Sequence, residues 1–250
     1  MADTVEQVAE GVHLVSAHHV NCYLLGNAQM GFTLVDTGLP ASWDLLGRAL
    51  ARLGRSMADL RAVVLTHAHF DHIGTAARIR RELGIPVYLH PDDHWLAAHP
   101  YRYRHERARP RYLLRYPKAL PGLASMVRAG ALRVPPVTGV EPMSDGQQLP
   151  VPGEPLVVHT PGHTDGHCVL HVAEADALLV GDALVTDDPY TSRTGPTLVA
   201  GAATASAEQA RASLERLRFY PDAVLLPGHG RPWTEGVEQA VQIALARPML

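Results

Sequence analysis

Short apolar runs bounded by turn residues dominate the first third of the chain, a pattern that predicts β-strands. They are GVHLVS at 11–16, VNCYLL at 20–25, GFTLVD at 31–36 and LRAVVLT at 60–66. Helical spacing interrupts them in ASWDLLGRALARLG at 41–54, where Ser42 is the predicted N-cap and Gly54 follows the helix end. DHIGTAARIRRELG at 71–84 is a second predicted helix, ended by Gly84. This order of elements predicts a mixed α/β fold.

The same two patterns return in the second half of the chain. The predicted strands are PVYLH at 86–90, EPLVVHT at 154–160, GHCVLHV at 166–172, DALLVGD at 176–182 and DAVLLPGHG at 222–230. The predicted helices are SAEQARASLERL at 206–217, which begins with a capping box of Ser206 and Gln209, and GVEQAVQIALAR at 236–247. At 250 residues and 46% hydrophobic, the chain fits one α/β domain over 1–250.

A basic, aromatic segment separates the two halves. From Pro100 to Arg133 the chain carries eight arginines and Lys118 against one acid, Glu106, a formal charge of +8 in a chain whose total is −3. Tyrosines are interleaved with the arginines, and prolines divide the segment into short pieces. We interpret residues 95–133 as an inserted helical flap. It is either a solvated or homodimer-contacting surface, or a cationic lid that recognises an anionic or aromatic substrate.

Charge and composition limit the classes of binding partner and the cellular compartment that we expect. The net charge of −3 and a pI near 6.6 give no global attraction to nucleic acid or to an anionic membrane. No apolar run approaches the ~20 residues that span a bilayer, and the acidic N-terminal sequence lacks the features of a signal peptide. Cys22 and Cys168 lie in apolar runs, which predicts two buried thiols and no disulfide. We therefore expect a cytoplasmic protein that acts on a small-molecule substrate.

Four metal-capable side chains crowd into THAHFDH at 66–72, between a predicted strand and a predicted helix. His67 and His69 project to the same face of an extended segment, because side chains repeat every two residues, and both can reach one ion. Asp71 and His72 lie beyond the turn and could serve a second ion nearby. The alternative is that Asp71 caps the following helix and the histidines are surface polar residues. Imidazole and carboxylate ligands suit zinc, iron or manganese.

Three further candidate ligands follow apolar strands. His163 lies in PGHTDGH directly after the strand at 154–160, Asp182 ends LLVGD, and His229 lies in LLPGHG. Polar side chains just past the carboxyl ends of strands occupy the edge at which α/β sheets bind their ligands. These positions therefore strengthen the prediction of a metal centre.

Four other residues near the predicted strand ends are weaker candidates. Asp36 in VDTG either forms a turn or supports the site by hydrogen bonding. The same two interpretations, a structural role and a supporting one, apply to His167. Tyr190 and Arg193 lie in a long stretch of little periodicity after Asp182, and loops of this kind are usually functional or disordered. We interpret them as candidate substrate-binding residues.

The ordered set HAHFDH, PGHTDGH, VGDA and PGHG resembles the metallo-β-lactamase superfamily, and matching blocks extend from VNCYLL and VDTG to PGHG. The resemblance implies a four-layer αβ/βα sandwich, in which two β-sheets face each other with helices outside. It also implies two divalent metal ions at one edge, with zinc as the first choice and iron or manganese as alternatives. By resemblance the first ion's ligands are His67, His69 and His163; the second ion's are Asp71, His72 and His229; and Asp182 bridges the two.

The residue in the bridging position narrows the subgroup. Zinc β-lactamases of the commonest kind have cysteine where this chain has Asp182, so the chain is more similar to the glyoxalase II and lactonase-like branch. Glyoxalase II has a helical glutathione-binding region, for which the about 20 residues after His229 are too few. Two divalent cations that share a water lower its pKa towards ~7. The expected function is cleavage of an ester, lactone or thioester by a metal-bridging hydroxide, with Asp71 as the catalytic residue that orients it.

Two other functions stay open on the sequence. One is a mononuclear iron enzyme that resembles persulfide dioxygenases and would use His67, His163 and Asp182. The other is a phosphodiesterase or RNA-processing enzyme that binds through the basic insert. Its signature would be a steep salt dependence, because neutralising several phosphates releases counterions.

Overall fold

The structure is a computed structural model that describes residues 4–250, and its larger sheet has seven strands in chain order. They are β1 (Thr4–Ala9), β2 (Val12–Ala17), β3 (Val20–Asn27), β4 (Gly31–Val35), β5 (Leu60–Val64), β6 (Val87–Leu89) and β7 (Glu141–Pro142). Strands β1 to β4 pair antiparallel, and strands β4 to β7 pair parallel. The parallel strands end at one edge of the sheet.

The smaller sheet and a separate hairpin use the remaining strands. These are β8 (Leu156–His159), β9 (Cys168–Val172), β10 (Ala177–Gly181), β11 (Val185–Asp187), β12 (Thr194–Thr197) and β13 (Val224–Pro227). The four-stranded sheet has the order β13-β10-β9-β8, and β11 pairs with β12 alone. Strand β10 is parallel to β13 and antiparallel to β9.

The described residues form seven α-helices, with short 3₁₀ turns between several of them. The helices are α1 (Ser42–Arg52), α2 (Ala76–Leu83), α3 (His94–Ala98), α4 (Pro110–Arg115), α5 (Leu120–Arg128), α6 (Ala207–Ser213) and α7 (Val237–Ala246). Among the helices of residues 4–250, none combines the length and the apolar content needed to cross a membrane.

Three groups of buried apolar side chains divide the molecule into four layers. Successive residues of a strand face opposite sides of its sheet. In β3, Leu25 therefore packs between the two sheets, and Leu24 packs against α1 and α2. In β10, Leu179 packs between the sheets, and Leu178 packs against α6 and α7. The predicted αβ/βα sandwich is confirmed.

The predicted helix starts differ from the structure in two places. Ser42 is the first residue of α1 instead of its N-cap, and its hydroxyl accepts a hydrogen bond from the backbone N–H of Leu39. Helix α2 begins at Ala76, five residues later than predicted, so Asp71 caps no helix. The reason is that the backbone of this turn is bonded elsewhere: the N–H of Gly74 donates to Gly38, outside any helix.

Other local predictions are confirmed. Gly84 ends α2 in the left-handed conformation. Of the predicted capping box at the start of α6, the bond from the backbone N–H of Gln209 to the hydroxyl of Ser206 is present. Cys22 and Cys168 are buried free thiols. The sequence pattern missed β1 and the hairpin of β11 and β12, which lies inside the stretch interpreted as an irregular loop.

The basic segment contains α4 and α5 and is fastened to the second half of the chain. Arg104 forms an ion pair with Asp165 at 2.8 Å, and the Glu106 carboxylate accepts the backbone N–H of Ala207 at 2.6 Å. These contacts hold the segment over the edge of the sheets at which the parallel strands end.

Candidate metal centre

Side chains from two strand ends form the first cluster. His67 and His69 follow β5, and His163 follows β8. Their candidate ligand atoms all lie within 4.8 Å of one another, and His69 Nδ1 is 2.9 Å from His163 Nε2. Two ring nitrogens at this distance can share one cation or one proton. The three imidazoles are buried, so water does not compete for these atoms.

A second cluster lies beside the first and contains Asp71, His72 and His229. The candidate ligand atoms of this cluster also lie within 4.8 Å of one another. The Nε2 atom of His229 is 3.4 Å from Asp71 Oδ2, and the Nε2 atom of His72 is 4.0 Å from the same oxygen. The turn after β5 thus supplies residues to both clusters.

Asp182, at the end of β10, lies between the two clusters. Its Oδ2 is 3.4 Å from His163 Nε2 in the first cluster and 3.3 Å from His229 Nε2 in the second. Its Oδ1 is 3.6 Å from His72 Nε2. All seven residues predicted as ligands are therefore brought together, and none is surface-exposed.

Buried side-chain atoms without a hydrogen-bond partner indicate that these residues fit metal ions. Within residues 4–250, the buried Nε2 atoms of His67, His72 and His229 and the Oδ1 atom of Asp182 have no hydrogen-bond partner. A buried polar atom without a partner is costly, and a coordinated cation would satisfy each of these. His69 differs from the other histidines because it turns Nδ1 towards the centre.

Burial keeps one set of imidazoles neutral. It lowers the pKa of His67 and of His163 well below the usual histidine range. It also lowers the pKa of His69 to about 4, although the nearby Asp71 carboxylate opposes the shift. Neutral imidazoles with free lone pairs are the form that binds divalent cations.

Carboxylates have the opposite effect on the other two imidazoles. Burial disfavours the charged form of His72, but the carboxylates of Asp182, Asp36 and Asp71 outweigh it and raise the pKa of His72 to about 9. The pKa of His229 is likewise raised well above its usual range, against burial, chiefly by Asp182. The same carboxylates that raise these two pKa values would also favour a bound cation at this position.

Hydrogen bonds outside the centre orient its rings. The Nδ1–H of His72 donates to Asp36 Oδ2 at 2.9 Å, and the Nδ1–H of His229 donates to the carbonyl of His19 at 2.6 Å. His167 Nε2 accepts the backbone N–H of Asp182 at 3.1 Å. The supporting interpretations of Asp36 and His167 thus agree with the structure.

Asp93 supports the centre as well, but the sequence reasoning did not single it out. Its Oδ2 accepts the N–H of Ala68 at 2.9 Å and the hydroxyl of Thr164 at 2.7 Å, and its Oδ1 accepts the N–H of Gly166 at 2.9 Å. One buried carboxylate thus joins the loop of His67 and His69 to the loop of His163. The sequence signal was weak: Asp93 is the second of two adjacent acids that follow the strand PVYLH after Pro91.

Gly228 allows the backbone to pass against the centre. A Cβ atom at this position would overlap Asp182 Oδ1 and lie 2.7 Å from His72 Cε1. Any larger residue would displace one of these two side chains. Gly228, the first glycine of LLPGHG, is therefore required because the backbone lies so close to Asp182 and His72.

The two predicted substrate-binding residues differ in position. Tyr190 lies beside the second cluster, where it lines a pocket together with Asp71. Arg193 points away from this pocket, because its Nη1 donates to the carbonyl of Pro248 at 2.7 Å. The guanidinium group that lines the pocket belongs to Arg109, in the basic segment.

Two further groups of candidate ligands occur in the described residues. One is buried, contains Asp36, His67 and His72, and shares its histidines with the two clusters; the other lies nearer the surface and contains His90, Asp92 and His159. The rings of His90 and His159 stack in parallel, with centroids 4.1 Å apart and an angle of 7°. Their in-plane lone pairs therefore lie in parallel planes and do not converge on one point. This group lacks the convergence of the two buried clusters.

A sandwich of this kind, with His/Asp clusters at one edge of its sheets, defines the metallo-hydrolase class. The chain belongs to the metallo-beta-lactamase superfamily, whose family model matches residues 15–229.

Relatives and solved structures agree with this membership. The probable metallo-hydrolase YflN of Bacillus subtilis (strain 168) is 30% identical in an alignment that covers 91% of this chain and 87% of that protein. The metallo-beta-lactamase family protein TTHA1429 from Thermus thermophilus is 28% identical with a TM-score of 0.69, over 96% of this chain and 80% of that one. TTHA1623 in a di-iron-bound form is 27% identical with a TM-score of 0.65, over 94% and 98% of the two chains.

Proposed function

We propose that this protein is a dinuclear metal-dependent hydrolase that cleaves an ester, lactone or thioester bond. The observation that carries the proposal is the position of Asp182, whose Oδ2 lies within 3.4 Å of one imidazole of each cluster. A carboxylate shared in this way is suited to bridge two cations. In this assignment the first ion's ligands are His67, His69 and His163, and the second ion's are Asp71, His72 and His229.

The bound ions would supply Lewis acidity for a carbonyl oxygen and a lowered pKa for water. Zinc is the first choice, and the di-iron form of TTHA1623 keeps iron as an alternative. Asp182 would carry the negative charge that offsets two cations at close range. Without ions, burial raises its pKa, but His229 and His72 outweigh burial and hold the pKa well below the usual range.

Asp71 is the proposed catalytic residue. Its pKa is lowered because His72 and His229 outweigh the effect of burial, so the carboxylate is ionised at neutral pH. An ionised oxygen at the boundary between the second cluster and the pocket can accept a proton from the attacking water and pass it to the leaving group. Tyr190 lines the same pocket and is proposed to contact substrate.

The test is metal quantification of the purified protein combined with a substrate panel. The panel contains ethyl esters and ethyl thioesters of acetate and hexanoate, γ-butyrolactone, a β-lactam and bis(p-nitrophenyl) phosphate. We expect two ions per chain and turnover of at least one acyl substrate. Loading with two ions and no turnover of any ester, thioester or lactone would contradict the proposal.

Two measurements test the other functions: an added assay of oxygen consumption with a persulfide, read together with the metal analysis, and the phosphodiester of the panel. One iron per chain together with oxygen consumption on a persulfide would support the dioxygenase instead. Turnover of the phosphodiester with a steep loss at higher salt would support the nucleic-acid function.

A further inference from the structure

An apolar pocket of about 210 Å³ opens next to the metal centre, and Asp71 is the one proposed metal ligand in its described wall. Phe70 and Asp71 form one side of it, and Pro189 and Tyr190 form another. The basic segment supplies the remaining walls, which are Tyr101, Tyr103, Arg109, Leu123, Met126, Val127, Ala131 and Leu132. The segment therefore builds a cavity as well as covering the sheet edge.

Tyr103 connects this pocket to the metal centre. Its ring centroid is 4.3 Å from that of His69, a residue of the first cluster. Its hydroxyl is 3.2 Å from the hydroxyl of Tyr190 on the pocket wall. Asp71, a proposed ligand of the second ion, also lies in the wall of the pocket, so a substrate whose carbonyl lies at the clusters has the pocket next to it.

Only one positive charge of the basic segment lies in the wall of the described pocket. Of its nine cationic side chains, Arg109 is the one among the described lining residues. The guanidinium carbon of Arg109 lies 4.0 Å above the ring of Tyr103, and its Nε donates to the carbonyl of Ala202. These two contacts hold the Arg109 guanidinium against the Tyr103 ring, so that it forms part of a mainly aromatic and aliphatic wall.

We propose that this pocket binds the apolar acyl or aryl group of the substrate, so that the enzyme prefers acyl chains of several carbons over acetyl. The inference rests on the proposed function, because it names the substrate class of the same site. The size fits, since an apolar cavity of ~150 Å³ is enough to bind benzene. A fully buried methylene group raises kcat/KM by up to about fourfold, so partial burial of the four that distinguish hexanoyl from acetyl is expected to give about tenfold or more.

Matched substrates test the preference. Ethyl acetate and ethyl hexanoate, or the two corresponding thioesters, have the same leaving group and differ only in the acyl chain. We expect kcat/KM for the hexanoyl substrate to exceed that for the acetyl substrate by about tenfold or more. Equal values in an active enzyme would overturn the pocket assignment and leave the hydrolase function standing.

Two variants change the pocket in opposite directions. Ala131→Phe fills it, because Ala131 lies in its wall and is 4% exposed, and Met126→Ala enlarges it. We expect A131F to lower the ratio of hexanoyl to acetyl kcat/KM by about tenfold, and M126A to move the optimum to a longer chain. Leu114→Ala is the control, because Leu114 lies in the same segment, is 88% exposed and is outside this pocket. It should leave the ratio unchanged.

Calorimetric binding of hexanoate and acetate gives a readout that is independent of turnover. We expect hexanoate to bind wild type about tenfold more tightly than acetate and to lose this advantage in A131F. If no acyl substrate is turned over, the hydrolase proposal fails, but the binding difference still decides whether the pocket takes an apolar chain. Equal binding of the two acids to wild type would overturn the inference.

Discussion

The carboxylate of Asp36 orients an imidazole of each cluster. Its Oδ2 accepts the Nδ1–H of His72 at 2.9 Å and the hydroxyl of Thr66 at 2.8 Å, and that hydroxyl lies 3.0 Å from Nδ1 of His67. Because the Thr66 hydroxyl donates to Asp36, it accepts from His67. Both Nε2 atoms are consequently left free to face the centre.

Replacing Asp36 with asparagine should weaken the binding of both metal ions. An amide has no charged oxygen with which to accept hydrogen bonds from both His72 and Thr66. We expect D36N to lower metal affinity about 10- to 100-fold, measured by competition with a chelator. Asp44→Asn, on the exposed face of α1, is the control and should bind metal as wild type does. Wild-type affinity in D36N would show that the ring orientation is set elsewhere.

Removal of Asp182 should reduce metal content and activity together. Without the carboxylate between the clusters, two cations would repel each other at close range with no anion to offset them. We expect D182A to retain at most about one ion per chain by elemental analysis and to lose turnover about 100-fold or more. The exposed Asp222→Asn should change neither quantity. Full metal content with unchanged turnover in D182A would refute the bridging assignment.

Asp93 should contribute to stability through the three donors that it satisfies. Asparagine at this position turns an N–H₂ group towards buried donors, so D93N should lower the free energy of unfolding by about 1–3 kcal/mol. Urea unfolding of the protein without metal measures this effect apart from ion binding. Asp92→Asn removes the neighbouring exposed carboxylate and serves as the matched control. Equal midpoints for the two variants would contradict the role of Asp93.

The pH dependence of stability should differ with and without metal. In the ion-free protein, burial disfavours the charged form of His72, but neighbouring carboxylates raise its pKa to about 9, above the usual histidine value of 6.5. A group with a raised folded-state pKa stabilises fully below its unfolded pKa, and this stability is lost as pH rises through the folded pKa. We expect the chelated protein to lose about 2 kcal/mol between pH 7 and 9.

The metal-loaded protein should lack this decline, because a coordinated imidazole has no proton to lose. His229, whose pKa is also raised, acts in the same direction as His72 in the ion-free protein. Chemical unfolding at several pH values, with and without chelator, measures the difference. Identical slopes in the two forms would contradict coordination by these residues.

The periodicity of the chain predicted most of the framework. Apolar alternation identified the strands that carry the ligands, because a strand buried on one or both faces has a local signature. The pattern missed β1, whose Glu6 and Gln7 are exposed at the sheet edge, because edge strands need few apolar side chains. The late start of α2 was also missed, since the backbone of the turn after β5 is bound by residues distant in sequence.

The sequence by itself predicted a mixed α/β fold and a set of candidate ligands, because strand periodicity and the positions of His and Asp after strand ends are local properties. The four-layer arrangement and the assignment of the ligands to two ions came from the resemblance of its motifs to a known superfamily. Only the tertiary structure decided which side chains support and line the centre. Asp93 joins loops that are 71 and 25 residues away, and Arg109 instead of Arg193 lines the pocket. These roles depend on contacts between distant segments, and no local pattern of the chain encodes the direction in which a side chain meets them.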